Sequence, residues 1–200
     1  MKRFFDMDGP IMSGLAVAAD LLLLNLLTLL CSLPIITIGA AFTAMYDQCI
    51  HMVRGEGSSV VKGYFQAFAS NFKKGTVFGL ILLAAAALLY FDYLAALAYI
   101  PFFRIGIVAI SLIVLAVFQY IFALLARYEN TVWGTIKNAA ALAVGYFPRT
   151  LLMVMFTTGL WMAGLHFIRL MAPVLLMFGL SLPCYVSCLL LTEVFRNMEK

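Results

Sequence analysis

The chain has 200 residues, of which 65% are hydrophobic and 11% charged, with a formal net charge of +4. Soluble domains are about half apolar and about a quarter charged, so this composition excludes an ordinary soluble fold. Stretches of about twenty residues with few charges recur along the chain, each long enough as a helix to cross a hydrocarbon core about 30 Å thick, and no alternating pattern suits a β-barrel.

The first apolar run, Gly14 to Leu33, follows Lys2 and Arg3. It is longer than a signal-peptide core, lacks a small-x-small cleavage site, and has Leu29 and Leu30 before Cys31 where a lipoprotein signal needs a small residue. An uncleaved first span is expected. Five further spans follow at Ile35 to Val53, Gly75 to Tyr93, Ile105 to Ala126, Thr150 to Ile168 and Ala172 to Thr192. The second is short, carries Asp47 and begins directly after Pro34, so a re-entrant or interfacial helix is its alternative.

Charge counting favours six crossings with both termini cytoplasmic. Lys2, Arg3, Arg54, Lys62, Lys73, Lys74, Arg127, Lys137, Arg149, Arg196 and Lys200 then face the cytoplasm, and only Arg104 and Arg169 face outward. Tyr90, Phe91, Tyr93, Tyr99, Phe102 and Phe103 crowd the third connection, as an outer interfacial belt does, with an aromatic lid over a substrate as the alternative.

Two cytoplasmic segments have the pattern of amphipathic helices on the membrane surface. In the first, Ser58 or Ser59 caps a stripe of Val61, Tyr64, Phe65, Phe68 and Phe72, with lysines alongside. In the second, Asn130 or Thr131 caps a stripe of Val132, Trp133, Ile136, Ala140 and Ala143, which ends near Gly145 and Pro148. Tyr64, Phe65, Phe68, Phe72 and Trp133 are the candidate contacts to membrane or partner. The endings Asn71-Phe72-Lys73-Lys74 and Tyr146-Phe147-Pro148-Arg149 resemble each other and hint at a repeated unit. No linker divides the chain, so residues 1–200 are read as one transmembrane domain.

Intramembrane acids cost about 2.5 to 3.5 kcal/mol near a helix centre, so Asp20 and Asp47 each require a reason. They fall at similar depth on adjacent helices, where they either bind a proton or cation or bond neighbours such as Asn25, Gln48 or His51. Asn25, Thr28, Ser32, Thr37 and Gln119 add polar groups that join membrane helices. Gly75 and Gly79 form a GxxxG spacing suited to close helix approach, and Pro183 is expected to kink the last span.

Cys31, Cys49, Cys184 and Cys188 all lie in apolar segments without a CxxC pair and read as small buried hydrophobes. His51 and His166 are too far apart for a shared metal site. No GxSxG, HExxH or phosphate loop is present, and no soluble loop carries an acid and base pair. A non-enzymatic protein with no cofactor, metal or nucleic-acid partner is expected.

The run Asn25 to Ala40, NLLTLLCSLPIITIGA, resembles the YesL-like family of bacterial membrane proteins, a domain of unknown function. So do the Arg54-Gly55-Glu56 turn leading to Tyr64-Phe65 and Asn71-Phe72-Lys73, and the segments Arg127-Tyr128-Glu129-Asn130-Thr131 and Tyr146-Phe147-Pro148-Arg149-Thr150. Ala40 stands where that family often has proline. The resemblance implies a bacterial cytoplasmic membrane protein associated with carbohydrate uptake, often beside ABC-type oligosaccharide permeases, and it supplies no catalytic residue. An accessory or assembly subunit of such a system is the leading expectation. A small oligomeric carrier or channel that uses Asp20 and Asp47 is the alternative.

Overall fold

The computed structural model describes residues 10–56, 59–98, 102–128 and 131–198. Lys2, Arg3, Ser58, Tyr99, Glu129, Asn130 and Lys200, all invoked above, lie outside the described residues. Among the described residues every regular element is helical. They are α1 (Pro10–Cys31), a 3-10 turn (Ile35–Thr37), α2 (Ile38–Arg54), α3 (Val60–Ser70), α4 (Phe72–Ala98), α5 (Phe103–Arg127), α6 (Val132–Gly145), α7 (Phe147–His166), α8 (Ile168–Phe178) and α9 (Ser181–Met198).

Three helices, α1, α4 and α5, are long and apolar enough to cross a bilayer. Two bent pairs, α6 with α7 at 97° and α8 with α9 at 58°, raise the number to five if each pair forms one span. The segment read as a second span is instead the 3-10 turn followed by the 17 residues of α2, which is not among these candidates.

Although short, α2 is the helix around which the others pack. Its Ala40, Ala41, Ala44, Met45 and Cys49 are buried among α1, α3, α4, α5 and α9. Small residues permit this crowding. A Cβ placed on Gly39 would overlap the Gly75 carbonyl and lie 2.6 Å from the Gly79 nitrogen, so the GxxxG spacing of α4 is filled by a third glycine from α2. Ala40 sits in the first turn of α2, where a helix tolerates proline, and its departure from the family pattern leaves the helix intact.

The next helix, α3, folds back along α2. Gly63 lies against the Gln48 side chain, and the Tyr64 hydroxyl donates to the Ala41 carbonyl at 3.4 Å. The chain therefore returns to begin α4 beside the beginning of α2. Six alternating spans would set these two helix starts on opposite faces, about 30 Å apart. The glycine contact brings them together, so the α2–α3 hairpin leaves and re-enters the same end of the bundle.

Four helix termini gather at that end. Lys73 and Lys74 share a cleft with Arg127 and Tyr128, the Tyr128 ring meets Phe195 at 5.9 Å, and Arg149 pairs with Glu193 at 2.9 Å. The start of α4, the end of α5, the start of α7 and the end of α9 thus concentrate positive charge.

Both α3 and α6 join their successors through a single residue. Asn71 lies between α3 and α4 and Tyr146 between α6 and α7, each donating its N–H four residues back. This gives the suspected repeat a local structural counterpart. Of the two proposed caps for α6, Thr131 accepts from the Gly134 N–H at 3.3 Å.

The last apolar segment is not one helix. It breaks at Gly179 and Leu180, whereas Pro183 is the third residue of α9, where its missing N–H costs no helix bond.

Candidate functional site

The candidate site is built by the way α2 ends. Gly55 adopts a left-handed conformation, φ +69°, and the N–H groups of Gly55 and Glu56 bond the carbonyls of Met52 and His51, both at 3.1 Å. This is a Schellman closure, in which glycine avoids the Cβ penalty of a positive φ. It turns the chain so that the Glu56 carboxylate returns to the Nδ1 of His51 at 2.7 Å. One helical turn earlier, Asp47 Oδ2 lies 3.8 Å from His51 Nε2 and accepts from Gln48 Nε2 at 2.9 Å. Arg54 lies 3.8 Å from the other Glu56 oxygen.

An imidazole between two carboxylates links them through its two ring nitrogens, and the three side chains together offer polar atoms to a cation. Asp20 joins the group from α1, since Val17, Asp20, Gln48, His51, Met52 and Glu56 line one cavity of about 170 Å³. Asp47 does not line that cavity and is connected to it through Gln48 and His51, which do.

Asn25 has a different place. It is fully buried, and its Nδ2 donates to the Leu176 carbonyl at 2.7 Å. Its Oδ1 accepts from the N–H groups of Leu180 and Ser181 at 2.9 and 3.1 Å. One amide thereby satisfies backbone groups on both sides of the break between α8 and α9, which would otherwise be orphaned in an apolar interior. Gln119 is similarly engaged, donating to Thr157 at 3.2 Å and accepting from Ser187 at 3.3 Å.

The aromatic candidates divide into two sets. Tyr64 is fully buried between α3 and its neighbours, and its ring stacks on that of Phe68 with 6.4 Å between centroids. By contrast Phe65 and Phe72 are exposed, and Trp133 is 66% exposed with Lys137 over its ring at 5.5 Å.

Two features escaped the sequence reading. Glu56 was read only as part of a glycine turn, although a glycine closing a helix at His51-x3-Gly55 was the available signal. Cys49 meets Cys184 and Cys188 in space, of which only the four-residue spacing on α9 was visible beforehand.

No curated protein and no solved structure matches the chain. Residues 21–93, which hold much of α1, all of α2 and α3 and most of α4, match the family model described as protein of unknown function DUF624, in agreement with the YesL-like resemblance.

Proposed function

We propose that the protein is a non-catalytic subunit of the bacterial cytoplasmic membrane that docks onto a carbohydrate uptake permease and assists its assembly or stability. The observation that carries this reading is the use of the buried polar groups. Asn25, Gln119 and the Tyr120–Thr150 pair, whose oxygens are 2.9 Å apart, all bond within the protein, while Phe65 and Trp133 stay exposed. Such an interior suits a scaffold, and exposed aromatic side chains suit docking. The link to carbohydrate uptake comes from the family resemblance.

The hairpin of α2 and α3 supports five crossings with a re-entrant segment in place of six. Lys73, Lys74, Arg127 and Arg149 then mark the cytoplasmic end. On this reading α1 begins on the outer face and α9 ends at the cytoplasmic end, an alternative to six crossings with both termini cytoplasmic.

Isolation of the tagged protein from native membranes in mild detergent, with mass spectrometry of what accompanies it, tests the reading. A permease recovered in near-stoichiometric amount, and lost with Phe65→Asp or Trp133→Asp, supports it. Recovery of the chain alone contradicts it. A second reading, a proton- or cation-coupled carrier, is favoured by the Asp20, Asp47, His51 and Glu56 cluster at the hairpin tip, and it requires that Asp20→Asn with Asp47→Asn abolish flux in vesicles.

A further inference from the structure

Cys184 and Cys188 are one helical turn apart on α9, so their side chains project from the same face. Cys49 of α2 meets them there. The three sulfur atoms lie within 4.8 Å of one another, and all three residues are buried. No disulfide joins them. Among the described residues this is the one place where three or more ligand atoms of His, Cys, Asp or Glu all lie that close to one another.

We propose that Cys49, Cys184 and Cys188 form a three-sulfur site for a soft monovalent metal ion of the copper(I) type. Metal–sulfur bonds of about 2.3 Å in a trigonal plane set the sulfurs about 4 Å apart, so the cluster needs to contract by no more than about 1 Å. Thiolate and thiol sulfur select soft ions, whereas zinc takes four ligands in a structural site. Among the described residues no histidine or carboxylate joins the group to supply a fourth. Each sulfur that binds as thiolate releases one proton, and the ion's charge offsets the anionic sulfur in an apolar interior.

The surroundings suit such a site. Cys188 Sγ donates to the Tyr46 carbonyl at 3.8 Å, which orients one ligand. Cys184 also lines a cavity of about 110 Å³ with Tyr46, Gln119, Thr157, Trp161 and Pro183, giving a ligand sulfur an approach from outside the packed core. Cys31 is only partly buried and stands apart from the cluster, which makes it an internal control.

The experiment uses the full chain, purified reduced and without oxygen in detergent, and titrated with copper(I) against a chromogenic copper(I) chelator. One ion retained per chain, with X-ray absorption showing three sulfur neighbours, is expected. Cys31→Ser should bind as the wild type does. Cys49→Ser and Cys188→Ser should each weaken retention by more than about 100-fold, beyond the range typical of losing an outer-shell partner. The absorption measurement on the wild type stands even if a variant fails to fold. The proposal is overturned if the wild type retains no copper(I), if fewer than three sulfurs surround it, if Cys31→Ser loses it equally, or if peptide mapping finds Cys49 disulfide-linked to Cys184 or Cys188.

Discussion

The helices α2 and α4 begin side by side and have opposite fates. α4 is a 27-residue, almost uninterrupted apolar helix, yet only 6% of its most hydrophobic window is buried inside the protein. α2 carries Asp47, Gln48, His51 and Arg54 along its 17 residues, yet ten of them are buried. In water the more apolar helix would take the centre. In a bilayer the lipid accepts apolar side chains as readily as the protein does, so hydropathy reports contact with lipid, whereas small residues and hydrogen-bonding groups select the helix that is packed by protein.

Perturbing the contact between the two helices is expected to have the largest effect. Gly39→Leu forces a side chain into the backbone of Gly75 and Gly79, and should destabilise the detergent-solubilised protein by about 3 kcal/mol or prevent its accumulation. Gly106→Leu in α5, where a Cβ meets nothing within 4 Å, is the matched control and should be no less stable than the wild type. If both variants behave alike, close packing of α2 on α4 is not what stabilises the bundle.

Next in size is Asn25→Leu. It preserves bulk but leaves the Leu176 carbonyl and two N–H groups without their partner, and should cost about 2 kcal/mol in thermal or denaturant unfolding. Hydrogen exchange at Leu180 and Ser181 should accelerate in this variant before exchange within α2 does. Gly55→Ala should cost about 1 kcal/mol, the penalty for a side chain at positive φ, and should separate Glu56 from His51. The smallest effect belongs to α4. Leu88→Ala removes a side chain that is 66% exposed and should change stability by less than about 0.5 kcal/mol.

The helices visible in the sequence were those whose evidence is local. α1, α4 and α5 follow from long uncharged runs, Thr131 from capping chemistry, and the closeness permitted by Gly75 and Gly79 from their spacing. The partner of those glycines was not visible, because Gly39 lies more than thirty residues away and nothing local identifies it. Asn25 was recognised as a polar residue requiring a bond, but its partners are about 150 residues downstream, at a break that Pro183 seemed to mark and that occurs three residues earlier.

The polar cluster was half legible for the same reason. Asp47, Gln48 and His51 are neighbours on one helix, and Asp20 lines a cavity with Gln48 and His51 across a hairpin that connectivity already implied. Glu56 required the left-handed turn at Gly55. The six-span reading counted alternating sidedness from charges, and such counts are blind to a hairpin that returns to the end of the bundle it left. Positive charges on either side of such a hairpin are assigned to the wrong face.

Lipid-phase photolabelling of the unmodified protein in bilayers, followed by peptide mapping, tests the contrast between α2 and α4 most directly. A membrane-dissolved diazirine should label the peptides of α4 and the exposed N-terminal half of α5 heavily, and those of α2 little or not at all. Labelling of Ile38–Arg54 at the level of α4 would contradict the shielded, central position of α2 on which the packing, the polar cluster and the proposed re-entrant topology all depend.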